Sequence, residues 1–284
     1  MSKRFQAVLA KCSLGLSALA LAAAAHAVEN GPAPTEATVT GNGPFATASA
    51  KIATPSGYGS GTVWYPTTGT GYGVIVVGPG FTETESAINW WGARLASHGF
   101  VAVTVGTKTT LDQPESRGKQ FMAALKQVIS LEPTAPYKGK IDASRQAVAG
   151  HSMGGGGTLA AARDNPTLKA AIPLAPWHTL KDFSSVKVPT LIIACEKDFI
   201  APVSSHAQKF YDSMNAATPH AMAELAGADH FCVNNSTSAA NKATDSKVAV
   251  SWLKVFVDGD QRYLPFIKET KPAANLSRYL TSGF

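Results

Sequence analysis

The chain has 284 residues, 45% of them hydrophobic and 15% charged, with a formal net charge of +6. That is enough apolar material for one large core. It fits a single α/β domain better than two small ones and excludes a disordered chain. Part of the charge belongs to the N-terminus. Lys3, Arg4 and Lys11 flank an apolar run over 14–25 that ends in Ala25-His26-Ala27. A charged start, an apolar middle and a small-x-small end predict a secretory signal peptide over 1–27, with the mature domain spanning 28–284. The apolar run is too short for an ordinary membrane span. Without those three cations, 22 Lys and Arg face 19 Asp and Glu, a net +3. No basic cluster marks a nucleic-acid face.

Residues 28–50 are rich in Gly, Pro, Ala and Thr and read as an irregular lead-in. A short strand is predicted over 61–65 and a stronger one over 72–77, stopped by Gly78-Pro79-Gly80. Ile88, Trp91 and Leu95 recur at helical spacing over 86–98, with Gly99 as the stop. Another β-branched run covers 100–105, and a helix over 115–131 carries Phe121, Leu125 and Val128 on one face. The alternation continues with strands over 146–149, 170–174, 188–194 and 220–225. Helices are predicted over 154–163, 204–215 and 247–257. Strands alternating with helices imply a mostly parallel, twisted sheet covered on both faces.

The chemistry centres on Gly150-His151-Ser152-Met153-Gly154, a G-x-S-x-G motif between an apolar strand and a glycine-led helix. A sharp strand-to-helix turn there lifts Ser152 Oγ clear of the sheet as a nucleophile. It also aims the Met153 amide and the helix N-terminus at a nearby oxyanion. A serine needs a base, and the base an orienting carboxylate, in the order Ser, Asp or Glu, His. His230 sits in a polar turn after the last strand; His178, His206 and His220 are less suitably placed. Asp198 follows the strand ending near Ala194, at the carboxyl edge where open α/β sheets bind ligands, with Glu196 as its nearest rival. The loop Gly78-Pro79-Gly80-Phe81-Thr82 is placed to supply a second oxyanion donor. The Phe81 amide is assigned, because Pro79 has none. Trp177, just past the strand 170–174, is either a cleft aromatic or ordinary core.

Cys12 leaves with the signal peptide, so Cys195 and Cys232 remain as an even pair in an oxidising compartment. A disulfide is favoured over two free thiols. It would tie the Asp198 loop to the His230 loop. Two lone cysteines make a poor zinc site, and no metal or cofactor is expected.

Taken together, Gly80-Phe81-Thr82, the runs 91–100 (WGARLASHGF), 110–114 (TLDQP) and 150–157 (GHSMGGGG), and the later Ala175-Pro176-Trp177, 198–203 (DFIAPV) and His230-Phe231 are identifiable. They resemble the bacterial cutinase and poly(ethylene terephthalate) hydrolase family across roughly 40–266 of the chain. The resemblance implies an α/β-hydrolase fold without a lid domain and an enzyme that cleaves esters, including polyesters and short-chain acylglycerols. It implies Ser152, Asp198 and His230 as the triad and the Phe81 and Met153 amides as the oxyanion hole. Trp177 and Ile200 join Phe81 as substrate-binding positions. Cys195 and Cys232 match the disulfide beside the active site of mesophilic members, and 233–247 resembles their longer loop. His151 and Phe231 are instead the more ordinary cutinase choices at two cleft positions. Phe81 stands where many relatives carry tyrosine, and Gly106 replaces a common aspartate. The family's C-terminal cysteine pair is missing, which predicts a less firmly held tail over 267–284. The expected protein is a secreted, monomeric serine esterase acting on polymeric or small esters. The alternative is a general lipase or carboxylesterase with incidental polyester activity.

Overall fold

Apolar, β-branched runs bounded by glycine and proline can be buried on both faces, and this chain assembles them into one nine-stranded sheet. The computed structural model describes residues 27–284, so all of the predicted signal peptide except Ala27 lies outside the described residues. The elements are α1 (Glu36–Thr40), β1 (Thr47–Lys51), β2 (Ser60–Pro66), β3 (Tyr72–Gly78), α2 (Trp90–Ser97), β4 (Val101–Gly106), α3 (Pro114–Leu131) and β5 (Ile141–His151). They continue with α4 (Met153–Asp164), β6 (Ala170–Leu174), β7 (Thr190–Cys195), α5 (Ala207–Ser213), β8 (His220–Leu225), α6 (Ala239–Leu253), α7 (Pro265–Lys268) and β9 (Leu276–Ser282).

The strand order is β1-β2-β4-β3-β5-β6-β7-β8-β9. The pairings from β4 through β8 are all parallel, and β1/β2, β2/β4 and β8/β9 are antiparallel. The two-residue alternation of the strands divides the core into two layers. Ile75, Ala102, Ala149, Ile193 and Ala223 pack in one cluster with Trp91, Leu95, Val248 and Trp252 of α2 and α6. Val74, Val76, Val103, Val148 and Ile192 pack in the other with Phe121, Leu125, Leu159 and Phe210 of α3, α4 and α5. The sheet is thus mostly parallel with helices on both faces, as predicted.

Three segments differ from the sequence reading. The lead-in contains α1, closed by a Thr35–Thr38 capping box, and the edge strand β1. Helix α6 begins at Ala239 rather than near Lys247, with the Ser238 hydroxyl accepting the Asn241 amide as its N-cap. The tail is anchored without a cysteine pair. Residues of β9 pair with β8, the Tyr279 hydroxyl donates to the Ile267 carbonyl at 2.8 Å, and Phe284 packs edge-on against Trp252. Strand pairing and ring packing supply the hold the tail was expected to lack. Among the described residues, no helix is long and apolar enough to cross a membrane.

Between β3 and β5 the connections part, one returning through β4 and the other advancing through β6. Such a point opens a crevice at the carboxyl ends of the strands. The loops after β3, β5, β7 and β8 carry Phe81, Ser152, Asp198 and His230.

Candidate active site

Ser152 occupies the single residue between β5 and α4, with φ 54° and ψ −119°. For a residue with a Cβ this conformation costs about 1–3 kcal/mol, so the surroundings must enforce it. Its amide donates to the Leu174 carbonyl at 2.9 Å, and its carbonyl accepts from Trp177 at 2.9 Å and Gly156 at 3.0 Å. Gly154 is required by close approach, because a Cβ there would collide with the Pro79 carbonyl oxygen. The turn is therefore wedged between the loop after β3 and the loop after β6.

Ser152 Oγ lies 2.8 Å from His230 Nε2, and His230 Nδ1 lies 2.6 Å from Asp198 Oδ2. The other carboxylate oxygen, Oδ1, accepts the backbone amides of Ile200 at 2.9 Å and Ala201 at 2.7 Å. All three side chains are buried. Burial pushes the Asp198 carboxyl up. The hydrogen bond from His230, the Ala201 and Ile200 amides and the charge of His230 outweigh burial and hold it below its ordinary range. An ionised Asp198 fixes the hydrogen of His230 on Nδ1 and leaves Nε2 facing the serine hydroxyl as an acceptor. This arrangement can take a proton from Ser152 and stabilise the resulting imidazolium.

Two amides border the serine. Met153 is the first residue of α4, where backbone N–H groups have no partner within the helix. In the loop after β3, the Gly80 amide donates to Glu83 Oε2 at 2.6 Å and the Thr82 amide to the Thr110 carbonyl at 2.8 Å. The Phe81 amide between them has no acceptor among the described residues. A Cβ on Gly80 would stand 2.8 Å from Ser152 Cβ, so this loop lies directly against Ser152. The two amides are available to developing negative charge.

The crevice over Ser152 is a cavity of about 170 Å³ lined by Phe81, Thr82, Glu83, His151, Ile200, His230 and Phe231. Phe81, Ile200 and Phe231 are exposed, and Phe199 beside them is 88% exposed. Trp177, half-buried, is not among the residues lining this cavity. Its amide bonds to Ser152, and its ring stacks on His206 with centroids 6.0 Å apart. Burial and the charge of Lys181 pull His206 down to about 4, leaving a neutral ring for the stack. Cys195 and Cys232 form a disulfide with Cα atoms 6.1 Å apart, joining the end of β7 to the His230 loop.

Sequence reasoning missed the groups behind the site. Arg117 of α3 is fully buried and donates to the carbonyls of Pro79 at 3.0 Å, Thr110 at 2.8 Å and Asp112 at 2.6 Å. It braces the loop carrying Phe81. Glu83 reaches back three residues to the Gly80 amide, the spacing by which a glutamate closes a capping box. That spacing was the one available signal. Asn234, which donates to Glu83 Oε1 at 2.5 Å from 151 residues away, left none.

A mostly parallel sheet with helices on both faces and a serine at a strained strand-to-helix turn defines an α/β-hydrolase. The PETase family model, described as PET hydrolase-like, matches residues 22–282. A protein named cutinase from Thermobifida fusca (strain YX) is 47% identical over 273 residues, covering 94% of this chain and 89% of that one. Cutinase 1 of Thermobifida cellulosilytica is 48% identical over 246 residues, covering 86% of this chain and 92% of its own length. Bis(hydroxyethyl) terephthalate hydrolase of Streptomyces coelicolor is 45% identical over 264 residues, covering 90% of this chain and 82% of its own length. The chain belongs to the PET hydrolase-like family and is a carboxylic ester hydrolase of the cutinase type.

Proposed function

We propose that this protein is a secreted, monomeric hydrolase of polyesters such as poly(ethylene terephthalate) and of short-chain acyl esters, working through an acyl-enzyme on Ser152. The observation that carries the reading is the unbroken line of hydrogen bonds from Ser152 Oγ through His230 to Asp198. Ser152 Oγ attacks the ester carbonyl as His230 Nε2 takes its proton. The carbonyl oxygen gains the negative charge and is received by the Phe81 and Met153 amides. Collapse of the tetrahedral intermediate breaks the bond to the alcohol, which takes the proton back from His230. Water, deprotonated in turn by His230, then frees the acid and restores the serine.

The exposed collar of Phe81, Phe199, Ile200 and Phe231 supports a bulky or polymeric apolar substrate. The relatives support it too, being named cutinases and a bis(hydroxyethyl) terephthalate hydrolase. Export is supported by the composition of residues 1–27 and by the Cys195–Cys232 disulfide, a bond suited to an oxidising compartment. Amorphous poly(ethylene terephthalate) film treated with the mature protein tests the reading. Soluble aromatic acids are expected from the wild type and not from Ser152→Ala. No release by folded wild type that still cleaves tributyrin would leave the protein a lipase or small-ester esterase.

A further inference from the structure

Glu83 stands in the loop after β3, outside the triad, yet its carboxylate is where three segments of the site meet. Oε2 accepts the Gly80 amide at 2.6 Å and lies 2.7 Å from His151 Nδ1, and Oε1 accepts Asn234 Nδ2 at 2.5 Å. Gly80 leads into the Phe81 amide, His151 immediately precedes Ser152, and Asn234 lies four residues beyond His230. The second nitrogen of His151, Nε2, lies 3.0 Å from the carbonyl oxygen of His230 itself. Glu83 and His151 together therefore touch the oxyanion loop, the nucleophile turn and the backbone of the general base.

The hydrogen count at His151 is informative. Its two partners are a carboxylate oxygen and a backbone carbonyl oxygen, and neither has a hydrogen to give. With Glu83 ionised, both contacts are hydrogen bonds when both ring nitrogens carry hydrogen, an imidazolium against a carboxylate. Both side chains are withdrawn from water, at 1% and 12% exposure. The other charged or titratable groups around them are His230, whose ring centroid lies 4.7 Å from that of His151, Asp198 behind His230, and the Arg117 guanidinium from α3. Burial pushes the Glu83 carboxyl up. The hydrogen bond and charge of His151, with the Gly80 and Asn234 donors, outweigh it and hold Glu83 below its ordinary range.

We propose that Glu83 is a positioning residue for ester hydrolysis. The hydrogen bonds that its side chain makes with Gly80, His151 and Asn234 hold the Phe81 amide, Ser152 and His230 in one register. The proposal rests on Ser152 and His230 acting as nucleophile and base. By occupying the Gly80 amide, Glu83 also leaves the Phe81 amide as the free donor of its loop. A structural tie alone would affect melting. A positioning tie also affects the step in which charge develops, because small misplacements of reacting groups are costly.

Steady-state kinetics on a soluble p-nitrophenyl ester, measured well below the melting point, separate the two. Glu83→Ala is expected to lower kcat by roughly 10–100-fold, as loss of alignment at an oxyanion donor does. KM should stay within about threefold, because uniform binding is untouched. Glu83→Gln should recover most of the rate. Its carbonyl oxygen still accepts from Gly80 and His151, and its amide can donate to Asn234 Oδ1, which has no partner among the described residues. Nitrogen NMR of the His151 ring at neutral pH is the signature a generic stabilising role would not move. Both nitrogens should carry hydrogen in the wild type, and only one in Glu83→Gln. Unchanged kcat in folded Glu83→Ala, or a singly protonated His151 in the wild type, overturns the proposal. If Glu83→Ala does not fold, the wild-type and Glu83→Gln spectra decide it. Fluorophosphonate labelling of Ser152 is run alongside. Absence of labelling in the wild type defeats the reading of the triad, whereas full labelling with an unchanged rate in Glu83→Ala defeats only the role of Glu83.

Discussion

Asp198 and Asp245 are both buried aspartates, at 5% and 0% exposure, and the fold treats them in opposite ways. Asp198, in the loop after β7, receives the His230 imidazole and two backbone amides. Asp245 lies on the inward face of α6, one turn before Val248 and Ala249 and two before Trp252, all core residues. Neither of its carboxylate oxygens has a hydrogen-bond partner among the described residues. The donors hold Asp198 ionised, with its pKa below the ordinary range, whereas burial alone pushes Asp245 far above it. The difference teaches that burial does not decide what a carboxylate does; the donors converging on it do. Around Asp198 donors are gathered from two loops, those after β7 and β8, and in α6 none is supplied among the described residues.

The largest effect that sharpens this contrast is catalytic. Asp198→Asn keeps the shape of the side chain but loses the charge that orients His230, and kcat is expected to fall by about 10⁴ in protein assayed below its melting point. A fall of less than tenfold in stopped or steady-state assays would break the assigned role. Next in size is the tie between the two loops that carry Asp198 and His230. The disulfide spans 37 residues. Replacing both Cys195 and Cys232 with alanine should cost roughly 3–4 kcal/mol of stability in denaturant melts, by the loop-entropy estimate. Assayed below the lowered melting point, the double variant should keep most of its kcat.

Asp245 gives an effect of the opposite sign. Asp245→Val replaces an unpartnered carboxyl with an apolar group and should stabilise the protein at neutral pH by roughly 1–3 kcal/mol. The folded-state pKa of Asp245 is raised, so its penalty is absent below the ordinary carboxylate range and grows as pH rises. The gain from the substitution should therefore shrink on acidification, and an equal gain at all pH values would contradict the account. Asp198 and Glu83 contribute in the reverse sense. Their folded pKa values are lowered, so the stability they give is present above the ordinary carboxylate range and lost as pH falls through the folded values. Urea melts of the wild type and Glu83→Gln across the acid range should show a shallower loss in the variant.

The parallel centre of the sheet was legible because strands buried on both faces read as continuous apolar runs, as in β3, β4 and β7. The edges were not. Along β1 and β9, exposed or half-buried positions predominate, and nothing in Thr47–Lys51 or Leu276–Ser282 resembles a core strand until its neighbour is in place. The same division runs through the site. Ser152 announces itself by the local G-x-S-x-G turn, and Asp198 and His230 by their places after strands. Glu83, Arg117 and Asn234 act only across loops brought together by the fold. Glu83 and His151 are 68 residues apart and share no motif.

The central claim is that Ser152, activated by His230, is the nucleophile. Intact-mass and peptide mass spectrometry after treatment with a fluorophosphonate probe tests it most directly. The account predicts one adduct, located on Ser152, formed rapidly in the wild type and lost in folded His230→Ala. An adduct on another residue, or none on folded wild-type protein, would contradict it.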